Sequence, residues 1–180
     1  DFFSIELLTT RGLVRCMVLF VIEYSTRRVH IAGVKTNPDG QWMKQVAKNL
    51  TDMEDGFLSG KRYLIMDRDT KFSDAFRKIL EDEGVQSVRL PPRSPNLNAH
   101  LERFFRSLKT ECLAKMIFFG EKSLRNAVRQ FLDHYHAQRN HQSLGNRLIE
   151  PGEEVGRSKG DIQCHERLGG LLRYYYRDAA

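Results

Sequence analysis

The chain has 180 residues, of which 41% are hydrophobic and 29% charged. That make-up is of one globular domain and excludes disordered, fibrous and membrane-spanning classes; the longest apolar run, residues 16–22, is far too short for a transmembrane helix. The net charge of +6 is uneven: residues 39–84 hold ten acidic against eight basic groups, whereas 85–120 hold six basic against two acidic.

The elements follow in chain order. Residues 2–8 alternate and meet a Thr9-Thr10-Arg11-Gly12 turn, residues 13–23 are apolar enough for a buried strand, and 28–34 form a third strand. Short connections between the three predict an antiparallel meander. Asn37-Pro38-Asp39-Gly40 breaks it. Trp42, Val46, Ala47 and Leu50 then share a helix face. Residues 62–66 form a short strand ending at Asp67, Phe72, Phe76 and Leu80 mark a helix closed by Gly84, and 85–90 form a fifth strand. After the Pro91-Pro92-Pro95 loop, a long helix is expected over 97–116, with Leu101, Phe105, Leu108 and Cys112 as its buried stripe. Leu124, Val128, Phe131 and Tyr135 mark the next helix. The order βββαβαβαα predicts an α/β fold, a five-stranded mixed sheet flanked by helices, over residues 1–151; 152–180 is expected to be a loosely structured tail.

Several groups are candidates for chemistry. Asp67 stands where an apolar strand ends, the edge at which α/β proteins place their sites, although a lone Asp there also suits a turn or a helix cap. Asp69 competes with it. Glu102 lies on the long helix with Arg106 about 40° and Lys109 about −20° around the axis, a polar stripe; the same spacing also fits a Glu102–Arg106 ion pair on a solvated face. Asp1 heads the first strand and by itself signifies nothing. The three cysteines, Cys16, Cys112 and Cys164, are widely separated and are expected to be reduced thiols. His134 and His136 share no ligand spacing with them, so no zinc site is expected. The Tyr174-Tyr175-Tyr176 run fits either stacking on bases or packing against the core.

Taken together these residues resemble the catalytic core of retroviral-type integrases and the related insertion-sequence transposases, from Asp1 to Pro151. Met66-Asp67-Arg68-Asp69-Thr70-Lys71-Phe72 is similar to the family's second-aspartate motif, Asp-x-Gly-x-x-Phe, with Asp69 at the Gly position. Ser94-Pro95-Asn96-Leu97-Asn98-Ala99-His100-Leu101-Glu102, followed by Leu108-Lys109, resembles its Ser-Pro-x-x-Asn-Gly-x-x-Glu motif, with Ala99 for Gly. Asp67 and Glu102 have 34 residues between them, close to the family's usual spacing. Val21-Ile22-Glu23-Tyr24-Ser25-Thr26-Arg27 looks like its second strand and turn. Tyr135-His136-Ala137-Gln138-Arg139-Asn140-His141-Gln142-Ser143-Leu144-Gly145 looks like its Tyr-Asn-x-x-Arg-Pro-His-x-x-Leu-Gly signature, with Asn140 for Pro.

The resemblance implies a ribonuclease-H-like fold and a catalytic triad of Asp1, Asp67 and Glu102. Three converging carboxylates repel unless cations join them, and hard oxygen ligands select Mg²⁺ or Mn²⁺. Two such ions about 3.5–4 Å apart clamp an in-line phosphoryl displacement. Asp1 is expected to bridge them. The implied activity is a DNA transposase or integrase that cleaves element ends and transfers the freed 3′-hydroxyl into target DNA, working as a homo-oligomer on DNA. No membrane and no small-molecule cofactor is expected. Competing readings are a ribonuclease-H-type nuclease and a catalytically dead DNA-binding relic. Lys109, Arg106, Arg93, Arg139 and His141 are expected to contact nucleic acid, with Arg139 also suited to a structural role and His141 to packing in a turn. No leader pattern opens the sequence, so a cytoplasmic protein, nucleoid-associated in a bacterium, is expected. The chain is also expected to be part of a longer polypeptide, because a triad member at residue 1 lacks the strand normally ahead of it and the family carries an N-terminal DNA-recognition domain.

Overall fold

The computed structural model describes residues 1–92 and 95–178. Its strands and α-helices run β1 (Phe2–Thr9), β2 (Gly12–Ile22), β3 (Val29–Lys35), α1 (Gly40–Leu50), β4 (Tyr63–Met66), α2 (Asp74–Asp82), β5 (Gln86–Arg89), α3 (Ala99–Glu111), α4 (Gly120–Ala137), β6 (Ile162–Arg167) and β7 (Leu172–Arg177). The expected order βββαβαβαα is present, followed by two strands. The chain divides into two compact units.

The first unit comprises Asp1–Glu6, Leu13–Ile22 and His30–Glu102. Its core is built from alternate strand positions and single helix faces: Leu19 and Val21 of β2, Met43, Val46, Ala47 and Leu50 of α1, Met66 of β4, and Phe76 and Leu80 of α2. Helix α1 starts at Asp39, whose carboxylate accepts the Trp42 N–H at 2.7 Å, satisfying a donor that the first turn leaves unpaired. It ends at Thr51, whose hydroxyl donates to the Ala47 carbonyl at 3.0 Å. Helix α2 starts from Ser73. Phe72, expected on that helix, instead lies in the turn ahead of it, buried to 3% exposure. Gly84 closes α2 with φ +79°, a backbone that other residues adopt only with strain. Strands β4 and β5 pair in parallel, Tyr63 opposite Gln86 through Met66 opposite Arg89.

The second unit comprises Leu7–Gly12, Glu23–Val29 and the chain from Arg103 on. Phe104 and Leu108 of α3 are buried, as are Leu124, Ala127, Val128, Phe131 and Tyr135 of α4. The Phe104 ring meets Tyr135 edge-on at 5.1 Å. The buried α3 stripe therefore runs through Phe104, one position before the Phe105 expected from sequence. The helix also stops at Glu111, short of the expected 116: Cys112 leaves helical dihedrals and a 3-10 turn follows over Leu113–Lys115. The Leu8 N–H donates to the Phe118 carbonyl at 2.9 Å.

Two further expectations are corrected. The strands form three hydrogen-bonded sheets, β1-β2-β3, β4-β5 and β6-β7, not one five-stranded sheet. Hydrophobic alternation identifies which segments are extended and which face is buried, but it does not specify the partner across a ladder. The stretch expected to be a loose tail contains an antiparallel hairpin, with Ile162 opposite Arg177 through Arg167 opposite Leu172. Leu172 is buried, and the Leu168 N–H donates to the Gln130 side chain of α4 at 3.1 Å. No helix among the described residues is long and apolar enough to cross a membrane.

Candidate functional site

The parallel β4–β5 pair ends with the Leu90 N–H donating to the Met66 carbonyl at 2.9 Å. Asp67 follows directly, half-buried at the strand's carboxyl end. Its Oδ1 accepts the Asp69 N–H at 3.1 Å, an Asx turn. Asp69 is used differently. Its Oδ1 accepts the Lys71 N–H at 2.9 Å, and the Lys71 ammonium reaches both carboxylate oxygens at 3.1 and 3.0 Å. Lys71 also lies 5.3 Å over the Phe2 ring.

Asp1 belongs to the same unit. Its backbone pairs with β2: the amino group donates to the Phe20 carbonyl at 2.8 Å and the Phe20 N–H donates back to the Asp1 carbonyl at 3.0 Å. The side chain is held at both oxygens. Oδ1 accepts the Phe2 N–H at 2.7 Å, and Oδ2 accepts the Asn98 amide at 3.3 Å. Asn98 ends the 3-10 turn ahead of α3. Glu102 lies one turn further, exposed in the first turn of α3, where a carboxylate is favoured by the helix dipole.

Carboxylates alone make up the set Asp1, Asp67 and Glu102, and their chemistry suits a hard divalent cation. Among the described residues, however, no group of three or more His, Cys, Asp or Glu side chains is placed to hold a metal ion.

The residues expected to meet nucleic acid separate into three sets. Arg106 and Lys109 are exposed on α3. Arg139 pairs with Glu111 and lies 5.9 Å over the Tyr135 ring. His141 is buried at 8% exposure, its Nε2 2.7 Å from the Tyr135 carbonyl, and burial lowers its pKa. Arg139 and His141 thus both pack around Tyr135. Arg93 lies outside the described residues, as does Ser94 of the third motif. The sequence reading assigned no role to Asn98, although it is a fixed position of the motif that ends at Glu102.

The family described as integrase core domain matches residues 83–148, from the turn after α2 to the end of the Arg139–Gly145 signature. Over those residues the chain is similar to integrase cores. It is 25% identical over 144 residues to the insertion element IS476 uncharacterized 39.2 kDa protein of Xanthomonas euvesicatoria, covering 79% of this chain and 40% of that protein. The chain thus spans about two fifths of the length of this curated relative. Two solved structures share its fold. One is a simian T-cell lymphotropic virus intasome in complex with PP2A regulatory subunit B56 gamma, with TM-score 0.55 and 13% identity over 98% of this chain and 65% of that one. The other is the catalytic core domain of BIV integrase, with TM-score 0.52 and 15% identity over 82% of this chain and 89% of that one. The fold is thus similar in general form to that of these integrase cores.

Proposed function

We propose that the protein is a DNA transposase that cleaves strands at the ends of a mobile element and joins them to target DNA, with Asp1, Asp67 and Glu102 as its catalytic carboxylates. The observation that carries this reading is the Asn98–Asp1 hydrogen bond. It ties the start of β1 to the segment that leads into Glu102. Asp1, Asp67 and Glu102 would hold Mg²⁺ or Mn²⁺, two ions in the fullest form. When bound, the cations supply charge neutralisation and activation of the attacking oxygen in an in-line displacement.

The chain's own residues orient the reaction. Asn98 aims one oxygen of Asp1 and leaves its charge intact. The Asx turn occupies one oxygen of Asp67. Arg106 and Lys109, exposed on α3, are placed for phosphates, which position DNA without reading its sequence. Assembly as a homo-oligomer on DNA, in the cytoplasm or on a bacterial nucleoid, belongs to the same reading.

The test is strand transfer with a pre-cut element end and Mg²⁺ or Mn²⁺. The wild-type protein joins the end to target DNA, whereas Asp67→Asn and Glu102→Gln abolish cleavage and joining and retain DNA binding. Hydrolysis without joining would make the protein a nuclease. No metal-dependent activity on either substrate would make it a DNA-binding relic.

A further inference from the structure

The second unit contains a groove of about 660 Å³, lined by Tyr174, Tyr176 and Ile162 of the β6–β7 hairpin and by Arg147 and Arg157 of the segment before it. Pockets of about 300–1,000 Å³ take a small organic group such as a nucleotide. Tyr174 and Tyr176 are two residues apart on β7 and share one face of the strand. Their rings are nearly parallel, 13° apart with centroids at 5.8 Å. The hairpin does not need them as core, since Leu172 is its buried anchor and β6 is exposed along nearly its whole length. The Tyr174 hydroxyl bonds Glu154, which fixes its ring. Arg177, also on the lining, is spent bracing the Gly160 carbonyl at 2.8 Å. Arg147 and Arg157 are exposed.

Parallel aromatic faces beside arginines are suited to a polyanion that offers flat rings. Duplex DNA hides its base faces in its own stack. An acidic protein surface would use the arginines but leave the two ring faces without a purpose. We infer that this groove binds unpaired DNA, with bases stacked on Tyr174 and Tyr176 and phosphates held by Arg147 and Arg157. The choice of DNA over RNA rests on the strand-joining reading; the stacking itself uses none of the carboxylates.

The experiment measures binding of the full chain to labelled oligothymidylate, to duplex DNA of equal length and to oligouridylate across a salt series. Stacking is worth about 1–3 kcal/mol per base, so Tyr174→Ala with Tyr176→Ala weakens oligothymidylate binding by about fivefold or more and leaves duplex binding unchanged. Tyr176→Phe keeps the ring and the affinity. Arg147→Gln and Arg157→Gln each flatten the single-strand salt slope by about 0.7 of a counterion. On the unaltered protein, light-induced crosslinking of halogenated uracil in the oligonucleotide yields adducts at Tyr174 or Tyr176, a readout independent of how the variants fold. The inference is overturned by crosslinks elsewhere, by equal loss of single-strand and duplex binding, or by tighter binding of oligouridylate. It is also overturned by self-association that competes with DNA and disappears in the tyrosine variant, which would make the groove an interface between copies. Loss of strand joining with intact oligothymidylate binding overturns the transposase reading and leaves this one standing.

Discussion

The carboxylate of Asp69 is taken up by its own turn, accepting from the Lys71 backbone and ammonium, whereas Asp67 accepts one N–H and keeps its second oxygen for other use. Asp69→Asn keeps an oxygen for the Lys71 N–H and loses the ion pair, whose side chains are 24% and 27% exposed; a pair this accessible to water contributes about 1 kcal/mol or less. Strand transfer by Asp69→Asn should remain within a few-fold of wild type, with a small drop in the denaturant midpoint. Inactivation by Asp69→Asn together with an active Asp67→Asn protein would move the catalytic position by two residues. The Phe at the motif's offset made a preference for Asp67 legible in the sequence. The ion pair with Lys71 was not, because Asp and Lys two residues apart meet only when a turn folds one back over the other.

Helix α4 carries His134 and His136, and His141 follows in the segment after it. The Nε2 of His136 accepts the Val29 N–H at 3.0 Å, a role open only to the unprotonated ring. Burial lowers the pKa of His134, His136 and His141 from the usual 6.5. Opposing charges only partly offset it: Glu111 near His134, and Glu150 and Asp133 near His136, raise the values, while Arg139 lowers those of His134 and His141, Arg167 that of His134, and Arg28 that of His136. Below 6.5 the unfolded chain takes up protons that the folded chain refuses. Stability is therefore full above about 6.5 and falls as the pH drops toward the lowered folded values. Denaturant unfolding at neutral and mildly acidic pH should show this loss, and His136→Gln, which keeps an acceptor, should reduce its slope. A flat profile would mean that the imidazoles are hydrated. The helices themselves were legible from apolar spacing and from caps such as Asp39. The β6–β7 hairpin was not, although Leu168-Gly169-Gly170-Leu171 is a turn between two strands. Its residues are mostly charged or exposed, so no apolar stripe announced it; burial of Leu172 and the bonds of Arg167 and Leu168 to side chains of Gln138, Asp133 and Gln130 fix it.

Across the molecule, charge is unevenly spread, with an acidic excess over residues 39–84 and a basic excess over 85–120; on the proposed function, the basic stretch attracts phosphates. Lys109→Ala removes one exposed cation from α3 and should weaken binding alike for cognate and scrambled duplexes, flattening the salt slope by about one counterion. An unchanged slope would show that Lys109 does not meet a phosphate. The layout of charge and the element order were legible in the linear sequence. The division into three sheets was not, because ladder partners are chosen by backbone geometry that side-chain pattern does not encode. One feature of the folded chain also bears on how the protein ages. The Asn98 amide is a donor 3.3 Å from a carboxylate oxygen, and slow hydrolysis of asparagine converts such a donor into a second anion. Asn98→Asp mimics that damage, sets like charges against each other at Asp1, and should lower joining activity in step with the activity lost by stored protein as its deamidated fraction rises. The methyl of Ala99, where the family usually has glycine, hinders the backbone nitrogen's attack that begins this hydrolysis, so Ala99→Gly should shorten the working lifetime of the purified protein.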